Sequence, residues 1–319
     1  MRVFITGALG FVGRHLADAY RAEGAEVRGV DVRADPARDV VAGDVRAPGA
    51  WQDHAAGCHL VVHTAARITF APGLDDFWAV NTLGTKHAVD AAAAAGASRF
   101  VHLSSIAVFG LRYPDGVDET YPVRPAGVPY IDTKIAAEQV VLAAHARGEV
   151  PCTIVRPGDV YGPGSRPWTM LAIEQIRGRR LALPAGGRGE ISPAYVENLV
   201  DGIRRAAAEP AAAGGVFTLT DGRAVTTREF FGHYARMLGR PLPVAPRPVV
   251  GALAGAMSAG LRLRGVEPEV TPGAVEYISR RGTYSIARAR DVLGYAPRVD
   301  LAEGMRRTEA WLRAEGLLG

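Results

Sequence analysis

Residues 2–13 read Arg-Val-Phe-Ile-Thr-Gly-Ala-Leu-Gly-Phe-Val-Gly, and this stretch decides the fold. Its first five residues, Arg2–Thr6, form a short apolar, β-branched run that predicts a buried strand. Three glycines follow, Gly7, Gly10 and Gly13, spaced Gly-x-x-Gly-x-x-Gly. Phe11–Ala22 then predicts a helix. Glycines at a strand-to-helix turn permit a tight bend, bring backbone N–H groups against a pyrophosphate and let the helix pack closely on the strand. Such a loop is weak evidence alone, but here the required strand and helix flank it. Gly7, Gly10, Phe11, Val12 and Gly13 are therefore expected to hold a dinucleotide.

Working outward, short apolar strands alternate with Ala-rich helices. Strands are expected at Glu26–Asp31, Val40–Ala42, Leu60–His63, Arg99–Ser104 and Cys152–Arg156, with helices at Phe77–Ala95 and Tyr130–Arg147. Nearly continuous apolar strands fit a parallel sheet covered on both faces. The fold class is α/β, a doubly wound parallel (Rossmann) sheet with a smaller, partly discontinuous C-terminal substrate-facing part. Residues 1–157 and about 190–238 are assigned to the dinucleotide-binding domain, and about 158–189 and 239–319 to the substrate-facing part. After Arg156, a run rich in Gly and Pro marks an irregular loop at a strand's carboxyl end. Further helices are expected at 196–208, 226–238 and 301–315, a strand at 216–220 and a Pro-rich connector over 241–248.

Asp31 ends the second strand, 18 residues past Gly13. A carboxylate there accepts hydrogen bonds from ribose hydroxyls and repels a 2′-phosphate, which favours NAD over NADP. Arg28 and Arg33 lie close by and pull the other way. Asp44 and Val45 follow the third strand and are placed to contact adenine; a solvated turn would explain Asp44 equally well. Ala65 and Ala66, after His63-Thr64, leave room for a cofactor to cross the sheet edge. His63 itself reads as a packed strand-end residue.

Tyr130 and Lys134 stand at positions i and i+4, on one face of a helix. A phenol with an ordinary pKa of about 10 becomes a better acid/base beside a cation. Only two of the 37 basic residues are lysines, Lys86 and Lys134, so a lysine inside a chemical motif carries weight. Ser105, at the end of the strand before that helix, is placed to hold a substrate oxygen; serines satisfying loop backbone is the plainer reading. Asn81, in the middle of the long helix, either serves the site through backbone or water or is simply exposed.

Composition excludes several classes. Hydrophobic residues are 48% and charged residues 22% of the 319, ordinary for a globular enzyme. The net charge of +4 is scattered, which argues against nucleic acid. No metal-ligand spacing surrounds Cys58 and Cys152, and no metal is expected. The chain opens on the first strand with no apolar leader and has no run of about 20 apolar residues, so the expected location is cytoplasmic with no membrane span.

Together these motifs resemble the extended branch of the short-chain dehydrogenase/reductase superfamily, the NAD-dependent epimerase/dehydratase family. The carrying segments are Thr6–Gly13, Val61–Ala66, Asn81–Lys86, Ser104–Gly110, Tyr130–Glu138 and Val155–Gly164. The resemblance implies Ser105, Tyr130 and Lys134 as a catalytic triad, with Tyr130, Lys134 and Asn81 also near the cofactor. It implies a homodimer packed through 77–95 and 130–147. Within the branch, Tyr195-Val196-Glu197-Asn198 and the segment from Tyr284 to Pro297 are similar to the 3β-hydroxysteroid dehydrogenase-like group. Nucleotide-sugar members usually carry Asn where this chain has Asp159, and often Arg near Ile191. A carboxylate at 159 is expected to repel a diphosphate.

The reading that follows is hydride transfer between a bulky apolar secondary alcohol or ketone and the nicotinamide. A nucleotide-sugar epimerase or dehydratase with tightly held NAD is the second reading. A non-catalytic NAD(P)H-sensing protein is the third. The apolar segment Val249–Leu261, too short to span a bilayer, reads as a buried helix, a wall over a hydrophobic substrate, or a contact with a membrane surface.

Overall fold

The computed structural model describes residues 1–69 and 73–318. Its elements run in order as β1 (Arg2–Thr6), α1 (Phe11–Ala22), β2 (Glu26–Asp31), β3 (Val40–Ala42), β4 (Leu60–His63), α2 (Leu74–Phe77), α3 (Gly84–Ala94), β5 (Arg99–Leu103), α4 (Pro129–Ala146), β6 (Cys152–Pro157) and β7 (Asp159–Tyr161). There follow α5 (Leu171–Arg177), β8 (Glu190–Ile191), β9 (Pro193–Tyr195), α6 (Val196–Ala208), β10 (Val216–Leu219), β11 (Val225–Thr226) and α7 (Thr227–Met237). The last helices are α8 (Arg247–Arg262), α9 (Pro272–Tyr277), α10 (Ala287–Leu293) and α11 (Leu301–Ala314).

Seven strands form one parallel sheet in the order β10-β6-β5-β4-β1-β2-β3. The chain starts in the middle, winds outward through β2 and β3, then returns to β4 on the other side of β1. That reversal opens a crevice between the carboxyl ends of β1 and β4, where doubly wound sheets bind ligands. One face is covered by α1 and α6, whose Leu16, Leu199 and Ile203 pack on Val3, Ile5 and Val62. The other is covered by α3 and α4, whose Val89, Ala92 and Val141 pack on Phe4, Val61 and Phe100. Strands buried on both faces explain the unbroken apolar runs.

One expected element is different. The single helix at 77–95 is instead α2 and α3 joined by a π-helical turn at Trp78–Leu83. Asn81 sits in this turn, fully buried. Its Oδ1 accepts from the Arg67 N–H at 2.8 Å, and its Nδ2 donates to the Arg67 carbonyl and to Thr133 Oγ1. Such insertions widen the helix locally and often accompany functional sites. Here the turn aims the Asn81 amide at the loop after β4.

A buried ion pair fixes the second half of the sheet. Arg156, on β6, donates from Nε and Nη2 to the two carboxylate oxygens of Glu138, on α4, at 2.9 and 2.7 Å. Ser104 Oγ donates to the same carboxylate at 2.5 Å, and the guanidinium lies 4.7 Å from the Phe109 ring centroid. Removing one partner of such a pair strands a buried charge and costs about 3–5 kcal/mol, whereas replacing both by apolar groups is close to neutral. Urea unfolding should show Arg156→Leu destabilised by roughly that amount, and Arg156→Leu with Glu138→Leu should recover most of the loss. A single variant as stable as the parent would contradict this role.

Candidate functional site

The crevice continues into one large cavity of about 1220 Å³. Its sheet end is built by the glycine turn. Gly7 has φ +68°, and a Cβ there would stand 2.8 Å from the Ala65 backbone nitrogen. The turn thus needs glycine both for its hand and for the close approach of the β4 loop. Gly7, Gly10, Phe11, Val12 and Gly13 line the cavity. Asp31 lines it too, its carboxylate accepting from the N–H groups of Leu9 and Val32 at 2.9 and 2.8 Å. The carboxylate therefore ties the glycine turn to the end of β2 while facing the crevice. Arg28, the expected competitor, is bound to Glu26 at 2.6 Å and leans towards Asp39.

Asp44 and Val45 lie along the same end. The Asp44 carboxylate is held below its ordinary range by hydrogen bonding from Arg46, which it meets at 2.6 Å. Ala65 and Ala66 floor the passage past β4. Asn81 does not reach the cavity. It acts one layer back, through the Arg67 backbone, and Arg67 is itself a lining residue. His63 stays in the packing: its Nδ1 meets Thr6 Oγ1 at 2.7 Å and its ring stacks on His102 at 5.5 Å. Burial, then the nearby Lys134, drops its pKa to about 3, so the ring is neutral.

Ser105, Tyr130 and Lys134 line the middle of the cavity together. The two neighbouring serines have separate tasks. Ser104 is consumed by Glu138, while Ser105 caps the turn after β5 through the Ala107 N–H at 3.1 Å and hydrogen-bonds the Tyr130 phenol. Tyr130 and Lys134 start α4, which begins where Pro129 supplies a preset φ at the first turn. Lys134 is buried, and its ammonium donates to the Leu103 carbonyl at 2.6 Å.

The electrostatics differ from the sequence expectation. The phenol of Tyr130 lies above its ordinary pKa, raised by burial and only partly offset by the Ser105 hydroxyl; Asp159 raises it further. Lys134 shares the helix face but points its charge at the strand end. Its own pKa is lowered from 10.5 to about 8, by burial first, with Glu138 opposing. In this arrangement the phenol keeps its proton at neutral pH.

At the far end the walls come from the irregular half of the chain: Trp168, Leu171, Phe231, Leu253, Met257 and Ile278. Leu253 and Met257 belong to the apolar segment Val249–Leu261, for which a wall over the substrate is one of the sequence readings; Trp168, Leu171, Phe231 and Ile278 are not singled out by sequence, because scattered apolar residues carry no periodic signal. Asp159 also lines the cavity, but it is not the free charge that the sequence implied. Its carboxylate accepts from Arg280 Nη2 at 2.7 and 3.0 Å, from the Tyr277 hydroxyl at 2.9 Å and from the Ser192 N–H at 2.9 Å. Arg280 in turn spends its remaining donors on the Tyr113 hydroxyl and the Tyr277 carbonyl, and its guanidinium lies over the Tyr277 ring. The expected like-charge repulsion is thereby cancelled by Arg280. Ile191 is fully buried, opposite Val225 in a two-stranded ladder.

A Rossmann sheet whose switch-point crevice runs from a glycine turn to a Ser/Tyr/Lys group defines an extended short-chain dehydrogenase/reductase. Residues 3–219 match the model of the NAD dependent epimerase/dehydratase family, and the chain belongs to that family. It is 34% identical to a 4-hydroxy-2-methyl-3-oxo-4-farnesyl-3,4-dihydroquinoline-1-oxide ketoreductase of Stigmatella aurantiaca, over 96% of this chain and 95% of that one. It is 32% identical to a 3-beta-hydroxysteroid dehydrogenase of Mycolicibacterium neoaurum, over 93% and 87%. Among solved structures it resembles MoeE5 in complex with UDP-glucose and NAD, with a TM-score of 0.80, 27% identity and 99% coverage of both chains. The protein is an NAD-dependent oxidoreductase of this family.

Two outcomes follow from this geometry. Asp31→Ala should shift the cofactor preference towards NADP by about tenfold or more, measured as the ratio of kcat/KM for the two cofactors; an unchanged ratio would remove Asp31 from cofactor choice. Lys134 should cost stability. The unfolded chain holds this proton up to 10.5 and the folded chain only to about 8, so the penalty is full below pH 8 and fades as pH rises to 10.5. Lys134→Met should therefore unfold at higher temperature at pH 7, by up to about 3 kcal/mol, with the gain shrinking above pH 8. A variant that melts well below the parent at pH 7 would refute this.

Proposed function

We propose that this protein interconverts a secondary alcohol and a ketone on a bulky apolar substrate. The observation that carries the reading is the apolar far end of the cavity, directly beyond Ser105 and Tyr130. The domain division supports it. The dinucleotide part, 1–157 with about 190–238, supplies the sheet end, while 158–189 and 239–319 supply the far walls apart from Phe231.

Gly7, Gly10, Phe11, Val12 and Gly13 hold the pyrophosphate, Asp31 the adenine ribose, and Asp44 and Val45 the adenine; Ala65 and Ala66 give the cofactor passage. NAD, when bound, supplies the acceptor or donor of the hydride. The Ser105 hydroxyl holds the substrate oxygen beside the Tyr130 phenol. In the reductive direction the phenol gives its proton to that oxygen as the alcohol forms. In the oxidative direction the phenolate takes the hydroxyl proton. Lys134 steadies the phenolate and holds the nicotinamide ribose once its ammonium turns from the Leu103 carbonyl. The protonated phenol suits ketone reduction near neutrality.

The second reading, a nucleotide-sugar epimerase or dehydratase, has the MoeE5 likeness in its favour. Against it stand two residues. Asp159 has no donor to offer a diphosphate, and Arg280, beside it, has its donors already engaged. The Tyr130–Lys134 pair, kept in place, argues against a protein that only senses NAD(P)H. We place the enzyme in the cytoplasm, since both cysteines are free and buried. We also propose a homodimer through the helical segments 77–95 and 130–147, where Trp78 and Leu83 are exposed.

NAD(H)-linked turnover over matched panels of sterols, flavanols and nucleotide-sugars tests the reading. Turnover should appear with the apolar alcohols or ketones, and Tyr130→Phe should lose at least about a thousandfold in kcat while keeping NAD binding, in line with loss of a general acid. Turnover confined to nucleotide-sugars would reverse the order of the two readings.

A further inference from the structure

The helix α8 is not the buried element that its all-round apolar sequence allows. Only Ala254 and Ser258 are buried on it. Val249, Ala252, Leu253, Ala256, Ala259 and Leu263 are exposed and, with Ala252 and Leu253 side by side, step along the helix every three or four residues, so they form one outward apolar stripe into its C-cap. Leu253 is 65% exposed and Leu263 90%. The same helix walls the substrate cavity through Val250, Leu253, Ala254 and Met257. Leu253 belongs to both faces, so a single helix separates the cavity from the outside.

The charge around the stripe has one sign. From Arg240 to Val266 there is no acidic residue, and there are four arginines, Arg240, Arg247, Arg262 and Arg264. The acids that follow are already spent: Glu267 on Arg67, Glu269 on Arg166 and Glu276 on Arg247. Among the described residues, Arg240, Arg262 and Arg264 have no ion-pair partner. Arg179 and Arg180, exposed at the cavity rim beside Leu181, add two more cations without an acid.

We propose that α8 lies in the surface of an anionic phospholipid bilayer and that apolar substrate enters the cavity from the lipid past Leu253. This rests on the apolar-substrate reading for its purpose, though the docking itself does not. The stripe would sink among the acyl chains while the arginines meet the headgroups, the arrangement of an interfacial helix. At 16 residues, about 24 Å, it lies along the surface and does not cross it. A second copy is a poorer occupant, because a twofold contact would bring the unpaired arginines of both copies together.

The test is co-sedimentation of the full-length protein with vesicles of phosphatidylcholine alone or of phosphatidylcholine with one third phosphatidylglycerol. Binding to the anionic vesicles should be at least tenfold tighter and should weaken with salt. Leu263→Asp should lower it at least tenfold, and Arg262→Ser with Arg264→Ser by roughly five-fold per charge. Both variants should keep the parental thermal shift on adding NAD, since none of the three residues lines the cavity. Equal sedimentation with both vesicle types, or none, overturns the proposal. So does a dimer in solution that Leu263→Asp converts to monomer without any vesicle binding. Vesicle binding combined with turnover of nucleotide-sugars alone would keep the dock and sink the apolar-substrate reading; sterol turnover without vesicle binding would do the reverse.

Discussion

The Glu138–Arg156 pair is the constraint on which the reaction centre depends. It joins α4 to β6, and through Ser104 it also reaches the end of β5. Those elements carry, or lead directly into, Tyr130 and Lys134, the cavity-lining Pro157 and Gly158, and Ser105 respectively. A buried bidentate pair has one good geometry, and losing it leaves a charge without water. The strand ends and the helix therefore cannot slide past each other. Ser105 is held next to the Tyr130 phenol because its neighbour Ser104 is pinned.

The same logic operates at the other end of the cavity. Asp31 holds the glycine turn from beneath, and Asn81 holds the Arg67 loop from behind. Asp159 and Arg280 hold the loop after β6 against α9. Each is a buried or half-buried polar group whose partners are mostly backbone or a single opposite charge. The site is thus rigid where the cofactor binds and where hydrogen bonds are set. Its far walls are built mainly of apolar side chains, with Arg166, Gln175, Arg179, Arg180 and Glu269 among the lining. That contrast fits a family whose members share chemistry and differ in substrate.

Lys134 shows what the arrangement costs. Burial drives its ammonium towards deprotonation, while the Leu103 carbonyl and Glu138 favour the charge. A buried ammonium whose pKa is driven down and which lines the cavity is more readily explained by chemistry than by architecture. The phenol is likewise out of its usual range, in the protonated direction.

Much of this was legible in the amino-acid sequence. Strand and helix periodicities placed β1, α1, β2 and β4 at their observed bounds, because burial on both faces leaves unbroken apolar runs and helices repeat at 3.6, and pointed near β3 and α6. The glycine spacing and the Tyr130–Lys134 spacing are local, so their geometry follows from backbone rules alone. What only the tertiary structure decided is long-range. Asp159 reads as a repelling charge until Arg280, 121 residues later, neutralises it. Asn81 reads as a site residue until a π-helical turn aims it at Arg67. Lys134 reads as a partner for the phenol, and in the fold its ammonium donates to the Leu103 carbonyl instead. The helix α8 reads as apolar all round, and only packing determines which side meets the cavity and which is left open. Local spacing fixes which groups share a helix face or a turn; only the folded chain fixes which charges and donors meet across it.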